Sequence, residues 1–172
     1  TATASSTPCL SGREFNQSQT GVPVTEPNAE PNVVFSLEKV YIKDVSYETP
    51  AGPRAFLQTE PPQISVQLGV ERAVLDPSQG VYEVVLAITV TATREDKTVF
   101  LVEVQQGGLF RLQGVSGEVL NKTLEITCPH MLLPFAREAV SDFIGKGGFP
   151  PLLLQPVNFE ALYEQKLAAQ QA

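Results

Sequence analysis

Cys128 and His130, in the run Cys128–Pro129–His130, could suggest a thiol paired with a base. Cysteine catalysis needs the thiol and the base within hydrogen-bond reach. Residues two apart at a helix start do not point at each other, and Pro129 restricts their approach further. The pattern therefore predicts a buried structural Cys128 and an exposed His130. Glu83 and Glu103 lie in strand-like runs with no second carboxylate at a spacing that fixes a general acid–base pair, so both read as members of solvated strand faces. Gly145, Gly147 and Gly148 lack the Gly-Lys-Ser/Thr ending of a phosphate loop and do not open a helix after a strand; they predict a helix end instead. Cys9, the only other cysteine, has no Lys, His or Cys beside it to activate it. Two cysteines give neither zinc spacing nor a dense disulfide framework, which suits a reducing compartment, the cytoplasm. With one His, no Trp and one Met besides, no enzyme and no cofactor are expected.

The elements that would position these groups follow from composition and periodicity. At 172 residues the chain fits one ordinary domain. Twelve Lys+Arg against nineteen Asp+Glu give a net charge of −7, which argues against a nucleic-acid or anionic-lipid partner. The apolar runs are far shorter than the roughly 20 residues a membrane span needs, so no membrane insertion is expected. No basic-then-apolar leader opens the chain. Residues 1–32, rich in Thr, Ser, Pro, Asn and Gln without a sustained period, read as a disordered arm. From residue 33 the pattern predicts a folded domain to 172, with strands at 35–47, 64–75, 81–95 and 98–113. Ile64, Val66, Leu68 and Val70 alternate with polar neighbours, as do Tyr82, Val84, Leu86, Ile88 and Val90. Arg94–Glu95–Asp96–Lys97 is a connection of hairpin length, which makes the third and fourth strands antiparallel neighbours. Gly107–Gly108 suggests a bulge or bend in the fourth strand.

The last third changes to helical spacing. Leu132, Leu133, Ala136, Ala139, Val140, Phe143 and Ile144 form a broad apolar stripe on a helix starting near Met131, where Pro134 is tolerated in the first turn. Asn158 is placed to cap a final helix carrying Phe159, Leu162, Tyr163 and Leu167. Consecutive antiparallel strands followed by two helices make the fold class α+β, a four-stranded antiparallel sheet with two C-terminal helices.

Apolar surface exceeds what one small domain covers easily. Phe100, Val102 and Val104 share one side of the fourth strand, while Val99 and Leu101 share the other with Glu103 and Gln105. In 35–48, Phe35, Leu37, Tyr41, Val45 and Tyr47 fall on one parity, and Ser36, Glu38, Asp44, Ser46 and Glu48 on the other with Val40 and Ile42. The first strand of a meander is an edge, and a long edge without Pro invites pairing with a second chain.

YIKDVSYETP at 41–50, VYEVVLAITVTAT at 81–93, FLVEVQQGGLF at 100–110, CPHMLLPFARE at 128–138 and FPPLLLQPVNFEALY at 149–163 resemble, in order, the SecB family of bacterial protein-export chaperones. The resemblance covers nearly everything after residue 33 and leaves out the arm. It implies a homotetramer, a dimer of dimers, that holds unfolded precursor proteins and delivers them to the SecA motor. The first strand would pair with its symmetry mate, and the helix near Met131 would lie between the two dimers' sheets. Val102, Val104 and Gln106 fall where substitutions would disturb that oligomer interface. Client chains would bind in a hydrophobic groove between the loop at 51–63, carrying Phe56 and Leu57, and a wall of Leu152, Leu154, Phe159, Leu162 and Tyr163. Stapling the last helix to the sheet is an equally good reading for Phe159 and Leu162. SecA would dock on an acidic sheet face at Asp44, Glu48, Leu101 and Glu103, and the ending LAAQQA lacks the acidic tail common in relatives. With no ATP site, release would come from hand-over or client folding. A SecB-like chaperone dedicated to a toxin–antitoxin pair is the alternative within the same fold.

Overall fold

Four long runs of β-branched residues pair into one antiparallel sheet in the computed structural model, which describes residues 32–171. The strands are β1 (Val34–Glu48), β2 (Gln63–Asp76), β3 (Val81–Arg94) and β4 (Lys97–Gln113), in the spatial order β1-β4-β3-β2. The expectation for the arm at 1–32 and for Cys9 falls outside the described residues. Each strand lies within about a residue of its expected bounds. The order differs from a simple meander. Strands β2, β3 and β4 follow one another as hairpins, but β1 lies beside β4, so the chain from 49 to 62 crosses the end of the sheet to start β2. Both β1 and β2 are consequently edges.

Residues paired across an antiparallel ladder share a face, and the registers sort the sheet into two sides. The inner side carries Val84, Leu86, Ile88 and Val90 of β3 with Phe100, Val102, Val104 and Phe110 of β4, all buried. Each such side chain contributes roughly 1.5–3 kcal/mol. The tight hairpin between these strands is made by Glu95 and Asp96, both at positive φ (47° and 61°), the geometry whose twist matches the flanking strands.

Strict alternation fails in β1. The pairing skips one residue between Leu37 and Lys39 and another between Ile42 and Asp44, so Glu38 and Lys43 are bulged. Val40 and Ile42 are thereby turned to the inner side with Phe35, Leu37, Val45 and Tyr47, and Tyr41 to the outer side with Asp44, Ser46 and Glu48. The expected irregularity at Gly107–Gly108 thus lies in the partner strand. The glycines serve close approach: a Cβ at 107 would come 2.5 Å from Tyr41 Cζ, and one at 108 would come 2.7 Å from Leu132 Cδ2.

The helical region begins earlier than Met131. Helix α1 (Gly117–Lys122) continues through a π turn (Thr123–Thr127) into α2 (Cys128–Lys146), and Cys128 N–H reaches back to Thr123 O. Pro129 lies at the start of α2 and Pro134 inside it. Pro134 has no N–H for the carbonyl of His130, and both residues are exposed, so solvent can serve that oxygen. α2 packs across β4 and β3 through Leu132, Ala136, Val140 and Ile144, all buried. It ends as expected at Gly147 and Gly148, where Gly148 is at φ +86° and Phe149 N donates to Ile144 O at 3.2 Å. Helix α3 (Phe159–Gln171) is capped by Asn158, whose Oδ1 accepts from Ala161 N at 3.1 Å.

Candidate functional site: an apolar groove along an edge strand

The inner side of β2 reads Ile64, Val66, Leu68, Val70, Arg72 and Val74. α2 lies over β4 and β3, so covering β2 falls to the segment that follows. Pro150, Pro151 and Pro156 keep that segment extended by fixing φ and removing donors, and it leads Leu152, Leu154 and Val157 past the strand to α3. The cover is partial. A cavity of about 500 Å³ remains between Val66 and Leu68 on one side and Leu152, Leu154, Val157 and Leu162 on the other. A second cavity of about 270 Å³ shares Leu68 and Leu162 and extends the groove to Val70 and Tyr163. Ile64 and Val66 stay 42% and 38% exposed, and Leu153, beside the first cavity, 74%. Apolar surface left open along a sheet edge makes this channel a candidate binding groove.

The loop at 51–63 leads into β2, and none of its residues lines either cavity. Its 3-10 turn (Gly52–Leu57) buries Ala55 and sets Phe56 against Phe149, ring centroids 5.1 Å apart. Phe149 lies 4.8 Å from Phe100, which stacks on Tyr47. Arg94 fastens the turn by donating to the Ala55 carbonyl at 3.4 Å and to Gln58 Oε1. Phe56 is half exposed and Leu57 83% exposed.

Of the wall residues expected from the sequence, Leu152, Leu154 and Leu162 line the first cavity, and Leu162 and Tyr163 the second. Phe159 does not open into the groove. It is fully buried with its ring edge-on to His130, centroids 5.0 Å apart, and in this arrangement it staples the start of α3. Val66, Leu68, Leu153 and Val157 were not among the expected wall residues. The alternation of 64–70 was visible in the sequence, but only the strand order shows that this apolar side belongs to an uncovered edge.

The outer side of the sheet is polar. Asp44, Glu48, Leu101 and Glu103 converge there on neighbouring strands, since Glu48 pairs with Leu101 and Ser46, between Asp44 and Glu48, with Glu103. Ser46 Oγ donates to Glu103 at 3.5 Å. Of the basic groups on this face, Lys43 pairs with Glu83 at 2.8 Å and Arg111 with Glu38, while Lys39 stands exposed near Leu109. The Glu83 carboxyl is held below its ordinary range by the Lys43 ammonium and the Tyr41 hydroxyl. Burial and the facing Glu83 push Tyr41 up to about 12.

Val102, Val104 and Gln106 are buried within the protomer, on the inner side. They lie opposite Tyr47, Val45 and Ile42 of the edge strand β1. Gln106 Nε2 donates to the Tyr41 carbonyl at 2.7 Å, next to the second β1 bulge. Cys128 is fully buried, which pushes its thiol up to about 12, while His130 is exposed. Among the described residues no group of three His, Cys, Asp or Glu could hold a metal, and no helix is long and apolar enough to cross a membrane.

Residues 28–170 match the SecB family model, described as preprotein translocase subunit SecB. The chain is 53% identical over 146 residues to a protein-export protein SecB of Dechloromonas aromatica, covering 84% of this chain and 93% of that one. It is 50% identical over 137 residues to a protein-export protein SecB of Methylobacillus flagellatus, covering 80% and 86%. Among solved structures, it shares its fold with a SecB-like chaperone of Mycobacterium tuberculosis in complex with a ChAD peptide from an antitoxin. The TM-score is 0.58 at 15% identity, over 72% of this chain and 88% of that one.

Proposed function

The chain belongs to the SecB family and is a chaperone of protein export; from that premise we propose that it is a passive holdase whose β2–α3 groove grips unfolded precursor segments. The observation that carries this reading is the open apolar channel formed by Val66, Leu68, Leu152, Leu154 and Leu162. The SecB-like chaperone of Mycobacterium tuberculosis that shares this fold is in complex with a peptide, which is in keeping with the reading. Relatives near 50% identity named for protein export favour that role over service to a toxin–antitoxin pair.

Magnitudes favour many weak grips. Burying two or three large side chains contributes roughly 4–8 kcal/mol, while ordering three to five client residues costs about 1–2 kcal/mol each. One groove therefore holds a short peptide feebly, and a chain spanning several grooves gains about a hundredfold or more through effective concentration. Several grooves require assembly. In this reading β1 pairs with its counterpart in a second protomer, α2 lies between two such dimers, and the product is a cytoplasmic homotetramer. Its acidic patch of Asp44, Glu48, Leu101 and Glu103 meets the SecA motor, and hand-over or client folding empties the grooves without nucleotide. Native mass measured with and without an unfolded precursor tests assembly and holding together. A tetramer that gains one precursor is expected; a lone protomer that ignores denatured chains would overturn the reading.

A further inference from the structure

Helix α3 is a wall of the groove, yet its C-terminal half buries little. Glu164, Gln165, Lys166, Leu167, Ala168 and Ala169 are all exposed, and the element on which α3 packs most closely is the π turn. That turn holds an unusual group: Glu125, only 6% exposed. The extra residue of a π turn lets two successive side chains, Leu124 and Glu125, face inward together. A buried carboxylate has to be met by cations or donors. Lys166 Nζ of α3 donates to both Glu125 oxygens at 2.9 Å. Arg72 Nε of β2 lies 3.4 Å from Oε1, and its Nη1 donates to Asn121 Oδ1 at 2.8 Å. The three elements that enclose the far end of the groove thus meet at one carboxylate.

We propose that Glu125 is a clasp that fixes the C-terminal half of α3 and thereby sets the groove wall at Leu162 and Tyr163, with Lys166 as its releasable partner. The inference rests on the groove being the client channel. Glu125 and Lys166 border the second cavity and act there as positioning residues, by holding the wall where a client finds it already ordered, so that binding need not supply that order.

Lys166 is 42% exposed, so Lys166→Met removes the clasp without opening the core. In the full-length protein it should speed amide exchange at 163–169 by about tenfold while the sheet amides keep their protection. Dissociation of an unfolded precursor should become about five- to tenfold faster with its association rate unchanged. Lys166→Arg should restore both, which a general loss of packing would not allow. Glu125→Gln should act in the same direction as Lys166→Met. Wild-type exchange and wild-type dissociation in Lys166→Met, or failure of Lys166→Arg to restore them, would overturn the clasp. If the wild-type protein binds no unfolded chain, the holdase reading fails, and the exchange measurement alone decides the clasp.

Discussion

The ring of Tyr41 occupies the space that a side chain at Gly107 would need: a Cβ there would lie 2.5 Å from Cζ and 2.9 Å from the hydroxyl oxygen. The ring crosses β4 at its smallest residue, and its hydroxyl donates to Glu83 on β3. One side chain on an edge strand is thereby tied to the second strand inward. Gly107→Ala should displace the ring and destabilise the protein by about 1–3 kcal/mol, as overpacking does. Tyr41→Phe should cost less, about 0.5–1.5 kcal/mol, since only the hydrogen bond is lost. Denaturant titration at fixed protein concentration measures both, and a Gly107→Ala protein as stable as the wild type would contradict the close approach.

The same contact carries a pH signature. Tyr41 titrates at about 12 in the folded protein against 10.0 ordinarily, so its contribution is fully present below pH 10 and is lost as pH rises from 10 through 12. The Glu83 carboxyl is shifted the opposite way by Lys43 and Tyr41, so its contribution is present above the ordinary carboxylate range and is lost as pH falls through its lowered folded value. The stability gap between wild type and Tyr41→Phe should therefore be flat near neutrality and narrow above pH 10. A gap that widens there would contradict the assigned shift.

Cys128 should be chemically silent in the native state. Its thiol is fully buried and pushed up to about 12 by that burial, so the reactive thiolate is scarce and inaccessible. An alkylating reagent followed by peptide mass analysis should leave Cys128 unmodified in the folded protein and modify it fully in denaturant. Rapid native modification would mean that the α2 packing opens on the labelling timescale.

Much of this architecture was legible in the chain. The alternation of β2, β3 and β4 set their bounds within about a residue, and Asn158 and Gly147–Gly148 marked the helix ends they occupy. The rest depended on contacts distant in sequence. Nothing local shows that Glu38 and Lys43 are bulged, because a bulge is defined by the strand opposite. The place of β1 beside β4 decides that β2 is an uncovered edge, and hence that Val66 and Leu68 line the groove. The π turn hid the early start of the helical region by breaking its periodicity at Glu125, a charged residue on an inward face.

The acidic patch and the groove lie on opposite sides of the sheet and should be separable by mutation. Asp44→Lys with Glu103→Lys should weaken SecA binding at least tenfold while leaving precursor binding and native mass unchanged, since both residues are exposed on the outer side. Loss of precursor binding in the same variant would show that the two surfaces are not independent.

Neighbouring residues of β2 give the most direct test of where clients bind. Val66 points to the inner side and Gln67 to the outer, and both are exposed. With a photo-activated cross-linker placed at each in turn, an unfolded precursor should be captured at 66 and not at 67, and the folded precursor at neither. Equal capture at both positions, or capture at 67 alone, would show that the groove between β2 and α3 is not where this protein holds its clients.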